Sequence, residues 1–389
     1  MVGTGLGAAA IAARQSIVRL CASQLPPLEL LEQVAHRVRS VVPYTTGGST
    51  TVDPATLLCT GMFVEGAPQQ MLRDLIDNEH TEADFAKFNQ VARLRRPVLR
   101  LSEATDGALA RSARHRKIYA PGGYGTELRA MFRTRGVCWG RGLWLRSEGD
   151  PDFADAEVEF IASVAEHVAH GLRTGLLIRS IRDDVALPEP PGMVVLRDDD
   201  TVESLTVEAE RWLDDFPPEG LELPSIVYQV ARHASMLADT GGSGPPARAR
   251  VRLRSGRWLL VHGACLRTAD GGPVRTAVML EPVSRAELAP LIVEMYELTD
   301  RERQITQLLV SGKPIDEIAR TLSISQHTVR DHVKAIFGKF GVTSRPELTA
   351  MLFHEHYLPA VWNGAMKVTA MPPVPLHECS ESRPGARRS

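Results

Sequence analysis

The chain has 389 residues, which predicts two or three domains rather than one, because a domain usually has roughly 100–200 residues. Its 43% hydrophobic and 24% charged residues are ordinary for a globular protein with proper cores. The formal net charge is −2, from 45 basic and 47 acidic residues. This balance excludes a globally basic nucleic-acid coat, so any contact with nucleic acid must come from a local patch.

The sequence carries no sign of a membrane span, an export signal or a metal scaffold. No run of about 18 apolar residues occurs, so we expect no membrane-spanning helix. The apolar stretch at Val2–Ala13 has no preceding lysine or arginine, which argues against a secretory signal. The five cysteines include no CxxC pair, which favours reduced thiols over a zinc ribbon or a disulfide scaffold. We therefore expect a cytoplasmic protein.

Residues 8–180 form the first block, which is mixed α and β. Apolar residues at helical spacing predict a helix after Pro27, and a continuous apolar stripe from Ile161 to Leu177 predicts a long closing helix. Apolar and β-branched stretches predict four strands, the last two joined by a hairpin at 134–136. These strands are predicted at 44–52, 56–64, 125–133 and 135–146. The basic run at 111–117 is interpreted as a solvated loop or helix face, with an anion or DNA contact as the alternative.

A stretch rich in proline and aspartate predicts a linker at 181–191. The block that follows, 192–283, begins with a strand at Met193–Leu196. Helices are predicted near 205–214 and 225–238, and further strands around 248–254, 257–265 and 274–281. Strands that meander after helices indicate an antiparallel sheet with helices on one side. A connecting helix is expected at 284–297, and the composition of 363–389 is typical of a disordered tail.

Residues 298–350 predict an all-α module of four short helices. Thr299 and Glu302 stand in capping-box relation and start the first helix, which Gly312 ends. Ser325 is a good cap for the third helix. Because only three to four residues separate the second and third helices, the pair has the arrangement of a helix-turn-helix.

The third helix of this module has an apolar face and a polar face. The apolar positions are Val329, Val333, Ile336, Phe337 and Phe340, and the polar ones are Gln326, His327, Arg330, Asp331 and Lys334. A single helix fits the DNA major groove, about 12 Å wide, where long donor-bearing side chains reach base edges. From Ser325 to Arg345 the chain has four basic residues and one acid, a local balance of 4 − 1 = +3. The alternative is that this is only the solvated side of an amphipathic helix.

Residues 298–350 also carry a family signature. The positions are Leu298-Thr299, Arg301-Glu302-Arg303, Gly312, Glu317-Ile318-Ala319, Leu322, Ser325, Thr328-Val329, His332-Val333, Lys339, Gly341-Val342, Ser344-Arg345 and Leu348. With these residues in register, the block resembles the LuxR/GerE-type helix-turn-helix. The resemblance implies a DNA-binding domain at 298–362 that recognises double-stranded DNA.

The same resemblance implies roles for individual side chains. The positions that reach base edges in this family are Arg330, Asp331 and Lys334 here. Arg330 suits a guanine, which it can bond bidentately, and Lys334 suits either a base or a phosphate. Asp331 departs from the apolar or basic residue common at its position, and either accepts from a cytosine amino group or tempers the local charge. The candidates for phosphate contacts are Ser325, Gln326, His327, Thr328, His332 and Lys339.

The fourth helix is predicted to begin at Ser344, with Glu347 three residues on as a second capping box. The resemblance implies that this helix pairs two modules through Leu348, Met351 and Leu352. That pairing gives a homodimer on two half-sites about one helical turn apart. The alternative is that these three side chains complete the core of their own module.

The first two blocks resemble sensor domains. The first is similar to a GAF domain and the second to a divergent PAS domain, so the expected fold class is multidomain α+β, with two antiparallel-sheet domains followed by the all-α module. GAF and PAS pockets commonly hold small molecules, which implies that one of the two blocks binds an effector. The alternative is a purely dimerising or scaffolding role. No phosphate loop, nucleophile elbow or metal-ligand spacing occurs, so we expect no cofactor, metal or catalytic site.

Together these features predict a LuxR-type transcriptional regulator that is not an enzyme and has double-stranded DNA as its main partner. An activator of this type would also contact RNA polymerase. The alternative is a sensor or enzyme whose C-terminal module serves only protein association.

Overall fold

The structure, a computed structural model, describes residues 7–180, 190–242, 244–266, 275–283, 287–288, 291, 294–296 and 298–350. The predicted tail and most of the predicted linker and connecting helix lie outside these residues. None of the described helices combines the length and the apolar composition that a bilayer crossing requires. Over the described residues, the expected α+β class is observed: two antiparallel sheets with helices, followed by a helical module.

The first domain contains six helices and five strands among its described residues. The helices are α1 (Ala8–Cys21), α2 (Pro27–Arg39), α3 (Gln69–Thr81), α4 (Phe88–Val91), α5 (Leu101–Ala104) and α6 (Asp155–Ser180). The strands are β1 (Thr46–Val52), β2 (Cys59–Glu65), β3 (Val98–Arg100), β4 (Tyr124–Thr134) and β5 (Val137–Ser147). The helix after Pro27 and the long closing helix are therefore confirmed. The elements that were not predicted are α1, α3, α4, α5 and β3.

The five strands form one antiparallel sheet in the order β2-β1-β5-β4-β3. The predicted hairpin joins β4 to β5 through Arg135 and Gly136, both at positive φ (48° and 84°). Positive φ at both central positions is the type I′ geometry, whose twist matches that of the flanking strands. Helices α1, α2 and α6 cover one face of the sheet and enclose the main core, while α3 and α4 lie on the other face.

The second domain has the same sheet order as the first. Its strands are β6 (Gly192–Leu196), β7 (Val202–Leu205), β8 (Arg248–Arg252), β9 (Trp258–Leu266) and β10 (Arg275–Pro282), and its helices are α7 (Val207–Asp214) and α8 (Ser225–Asp239). All pairs are antiparallel, in the order β7-β6-β10-β9-β8. Each strand and helix predicted here is present, and the short strand β7 was missed.

The two sheet domains pack against each other through α3 and α8. Tyr228 on α8 accepts a hydrogen bond from Arg73 on α3 (2.7 Å), and Arg232 on α8 forms an ion pair with Asp77 (2.6 Å). The Gln229 side chain of α8 accepts a hydrogen bond from the backbone N–H of Cys59 on β2 (2.9 Å). A helix of the second domain therefore forms part of the wall of the first.

The interpretation of the basic run at 111–117 as a solvated face is wrong for Arg114. This side chain is fully buried beside a π-helical turn, His115–Tyr119. Its guanidinium lies 2.7 Å from Glu127 and 3.5 Å from Asp84. Charged side chains are almost never fully buried unless they are paired, and the partners of Arg114 are distant in sequence. The charges of the neighbouring residues at 111–117 therefore gave no indication that Arg114 is buried.

Candidate nucleic-acid interface

The C-terminal module consists of four short helices around one small core. The helices are α9 (Asp300–Val310), α10 (Ile315–Thr321), α11 (Gln326–Phe340) and α12 (Arg345–Ala350). The core contains Ile305, Ile318, Val329 and Ile336, each with no exposed surface. Since α9, α10 and α11 all contribute to it, the core fixes the angle at which α11 leaves the turn.

Both ends of α11 are capped by residues suited to that task. The Ser325 hydroxyl accepts a hydrogen bond from the backbone N–H of Thr328 (3.0 Å), which confirms it as the N-cap. Gly341 ends the helix in the left-handed region at φ 67°, where glycine has no steric penalty. At the start of the module, Thr299 and Glu302 exchange both hydrogen bonds of the predicted capping box (3.2 and 2.7 Å).

The polar face of α11 is open to solvent. The exposed side chains are Gln326, His327, Arg330, Asp331 and Lys334, next to exposed Ser325, while Thr328 and His332 are half-buried at the edge of this face. Arg330 donates to the Gln326 side chain (3.3 Å), and His327 Nε2 lies 3.6 Å from Asp331 Oδ2. These are solvated contacts between residues one turn apart. The structure therefore brings the predicted base-edge residues together on one accessible surface.

Two basic residues of this region are occupied by contacts that hold the module together. The Lys339 ammonium lies 2.5 Å from the carboxylate of Glu302, which is only 7% exposed, and Lys339 itself is 26% exposed. The Arg345 guanidinium donates to the backbone carbonyl of Leu309. The charge of Lys339 is therefore paired within the module, while about a quarter of its side chain remains exposed. Arg330 and Lys334 carry the exposed positive charge of the α11 face.

Comparison with known proteins assigns this module to a family of bacterial regulators. The family model for bacterial regulatory proteins of the luxR family matches residues 296–352. The spore germination protein GerE of Bacillus subtilis is 44% identical over 55 residues, which cover 74% of its length and 14% of this chain. The chain belongs to the LuxR family of bacterial regulatory proteins. The relation rests on the C-terminal module.

Other similarities of this LuxR-family chain are partial. A putative HTH-type transcriptional regulator of Aeromonas salmonicida is 34% identical over 120 residues, which are 29% of this chain. The chain spans only 61% of the length of that relative. The VqmA–ligand–DNA complex of Vibrio cholerae is similar over 43% of this chain and 84% of that one, at 17% identity and a TM-score of 0.24.

In the fourth helix of the LuxR-family module, α12, the expected role of Leu348 in pairing two modules is wrong. Leu348 has no exposed surface and packs in the core of its own module, so it is not available to a second copy. Met351 and Leu352, the other two dimerisation candidates, lie outside the described residues. The predicted capping box is shifted: Ser344 accepts from the N–H of Glu347 (3.3 Å), but the Glu347 carboxylate accepts from Thr343 N–H (2.7 Å).

Two contacts that position α11 were missed in the sequence. Arg301 donates from its guanidinium to the carbonyl of Leu322 (2.7 Å), which closes the turn before α11. The Tyr296 ring stacks on Phe340 at the end of α11, with ring centroids 4.1 Å apart. Arg301 belongs to the family signature, but its role requires knowledge of which carbonyl it faces. Tyr296 precedes the signature and gave no periodic signal.

Proposed function

We propose that this LuxR-family chain is a sequence-specific DNA-binding transcriptional regulator that inserts α11 into the major groove. The observation that supports the proposal best is the division of α11 into two faces. Val329 and Ile336 are completely buried on one side, and Arg330 and Lys334 are exposed on the other. The buried face fixes the helix in the core of the module, and the opposite face carries long side chains that donate hydrogen bonds. This is the geometry of a helix that recognises base edges.

Within this proposal, Arg330, Asp331 and Lys334 contact base edges. Arg330 bonds a guanine, and in the free chain its guanidinium donates to the Gln326 side chain (3.3 Å). Asp331 accepts from a cytosine amino group. Ser325, Gln326, His327, Thr328 and His332 contact phosphates, which set the register of the helix on the duplex. Lys339, which pairs with Glu302 and is partly exposed, is a further candidate for a phosphate contact.

We further propose that the protein acts as a homodimer on two half-sites and that an effector modulates it. The two sheet domains share one strand order, which supports their interpretation as a pair of related sensor modules, GAF-like and PAS-like. A small molecule bound there would act on DNA through α6 and the connecting segment. If the regulator is an activator, it would also contact RNA polymerase.

We expect Arg330→Ala to weaken binding to a cognate site by about 1–3 kcal/mol and to leave binding to random DNA almost unchanged. The reason is that a bidentate contact to guanine exists only at the correct base, whereas phosphate contacts exist on every sequence. The cognate site is first selected from a random duplex library with the wild-type chain. Fluorescence anisotropy at several salt concentrations then measures both affinities.

The matched control is Arg96→Ala, because Arg96 is an arginine of the first domain with 43% of its side chain exposed. It should change neither affinity. Equal losses on cognate and random DNA for Arg330→Ala would contradict the base-reading role. A wild-type chain without salt-dependent duplex binding would favour the alternative, in which the module serves only protein association.

The cap and phosphate roles of Ser325 can be separated. Ser325→Ala should lower the stability of the module by about 1 kcal/mol, since it removes the N-cap of α11. Ser325→Asp should retain the stability, because aspartate is an equally good cap and its charge suits a helix N-terminus. The same aspartate should weaken binding to all DNA by repelling phosphate. Urea unfolding and anisotropy distinguish these outcomes, and unchanged DNA binding in both variants would restrict Ser325 to capping.

A further inference from the structure

The first domain has a partly open cavity of about 100 Å³ between its sheet and α3, and Gln229 of the second domain contributes to its wall. Apolar side chains of β2, α3 and β5 line most of it, including Met62, Leu75 and Leu143. Arg141 on β5 and Gln229 on α8 supply polar groups. Because Gln229 belongs to the second domain, the cavity is complete only when the two domains are docked.

Arg141 brings a positive charge into this cavity without a carboxylate partner. Its Nε donates to the Thr50 hydroxyl (3.2 Å), one terminal nitrogen lies 3.5 Å from Gln229 Oε1, and its guanidinium carbon lies 4.3 Å from the centre of the Phe88 ring. Among the described residues, no carboxylate lies within 4.0 Å of the guanidinium. The cavity's own carboxylate, Glu79, is occupied by Arg129 (2.8 Å) and by the N–H of Phe88 (2.8 Å).

An arginine in this position is costly for the empty protein. Burial lowers the pKa of Arg141, yet a guanidinium does not release its proton in proteins. The charge therefore persists in a mostly apolar cavity, where Thr50 and Gln229 contact it directly and the Glu79 carboxylate compensates it only in part and from a longer distance. An anion that reached the guanidinium would gain a charge-assisted, bidentate hydrogen bond, which is among the strongest contacts a protein makes.

Two further nitrogen atoms of cavity-lining side chains have no hydrogen-bond partner among the described residues. They are Gln229 Nε2 and His80 Nε2, and both are buried. Gln229 Oε1 already accepts from Cys59 N–H, so the amide is oriented with its donor group free. Burial lowers the pKa of His80 to about 3, and the ring is therefore neutral near pH 7 and able to donate one proton. Orphaned buried donors of this kind require an explanation.

We propose that this cavity binds a small aliphatic carboxylate, whose oxygens accept from Arg141 and Gln229 while its carbon chain lies against Met62, Leu75 and Leu143. The lining is apolar apart from the polar end, which suits a short chain with one charged group. The volume is below the roughly 300–1,000 Å³ of common ligand pockets, so the ligand is small. The proposal deepens the proposed function, since it names the class of effector and a residue from each domain that holds it.

The proposal is tested with the full chain and no DNA, so its result is independent of the DNA-binding proposal. Sodium propionate and sodium butyrate are compared with propionamide and butyramide, which have the same shapes without charge. Sodium chloride and sodium phosphate at equal ionic strength control for general anion effects. We expect the carboxylates to raise the melting temperature in a saturable way and to give a heat of binding by calorimetry, and the amides to have no effect.

Variants locate the binding in the cavity. Arg141→Gln should weaken carboxylate binding at least tenfold, while Arg96→Gln, on the surface of the same domain, should leave it unchanged. Gln229→Glu places a carboxylate 3.5 Å from the Arg141 guanidinium, so it should raise the melting temperature of the free chain and abolish the response to butyrate. This second variant keeps the test decisive even when Arg141→Gln folds poorly.

Three results would overturn the proposal. One is an equal response to butyrate and butyramide, which would show that charge is irrelevant. Another is an equal response to phosphate, which would indicate a general anion site. The third is butyrate binding that survives in Gln229→Glu, which would place it outside this cavity.

Discussion

Replacing Glu127 with alanine is expected to lower the free energy of unfolding of the first domain by about 3–5 kcal/mol, the cost of removing one partner from a buried ion pair. Glu127 is 1% exposed and accepts hydrogen bonds from Arg114 (2.7 Å), Arg129 (2.6 Å) and Tyr119 (2.7 Å). Burial alone would raise the pKa of Glu127, but the two guanidinium groups lower it below its usual range. Without this carboxylate, both arginines keep their charges in the interior with one partner fewer.

Urea unfolding followed by far-UV circular dichroism measures the effect. The matched control is Glu82→Ala, because Glu82 also pairs with a basic residue, Lys117 at 2.5 Å, but in a solvated position. Exposed ion pairs contribute about 0–1 kcal/mol to the free energy of unfolding, so Glu82→Ala should change it very little. A Glu127→Ala chain as stable as Glu82→Ala would show that the buried cluster does not determine the stability of this domain.

Asp53→Ala is expected to cost a similar amount, about 3–5 kcal/mol, by breaking a buried ion pair between the two sheet domains. Asp53 follows β1 of the first domain, and Arg250 lies on β8 of the second. The Arg250 Nε and N–H both donate to one Asp53 oxygen (2.8 Å each), and Nη2 donates to the other (2.6 Å). The double variant Asp53→Ala/Arg250→Met should recover much of the loss, since it leaves no isolated charge.

The same ion pair predicts a dependence on pH. Burial raises the pKa of Asp53, but the contacts with Arg250 outweigh it and hold the pKa below its usual range. The pair therefore stabilises the folded protein fully above the unfolded-state pKa of about 3.9, and this contribution is lost as the pH falls through the lower folded-state value. Asp53→Ala should lose this part of the acid dependence. The control is Arg248→Met, which removes an exposed ion pair in which Arg248 lies 4.0 Å from Glu287. This variant should retain the acid dependence of the wild-type chain.

Local patterns were sufficient to predict most of the secondary structure. The Arg135-Gly136 turn follows from a glycine, which adopts positive φ without penalty, between two apolar strands, and α6 follows from its apolar stripe. The two faces of α11 were predicted for the same reason, because periodicity within one helix decides which side chains are buried. Each of these features depends on residues that are close together in the chain.

The contacts that escaped prediction join residues that are distant in the chain. Arg114 is buried because Glu127 and Asp84 approach it from other elements, and nothing in the run at 111–117 indicates them. Gln229 reaches the first domain across a distance of 170 residues to Cys59. Leu348 is buried because three helices leave a space that its side chain fills, and sequence spacing alone left two alternatives open.

The segment before the C-terminal module anchors two neighbouring side chains in different cores. Met295 is completely buried among residues of the first domain, and its carbonyl accepts a hydrogen bond from Arg173 of α6. The next residue, Tyr296, is buried in the helical module and stacks on Phe340. A single peptide unit therefore separates the side chain anchored in the first domain from the side chain anchored in the helical module. We expect that a displacement of α6 would shift the contact of Tyr296 with the end of α11, because the connection between the two anchors is so short.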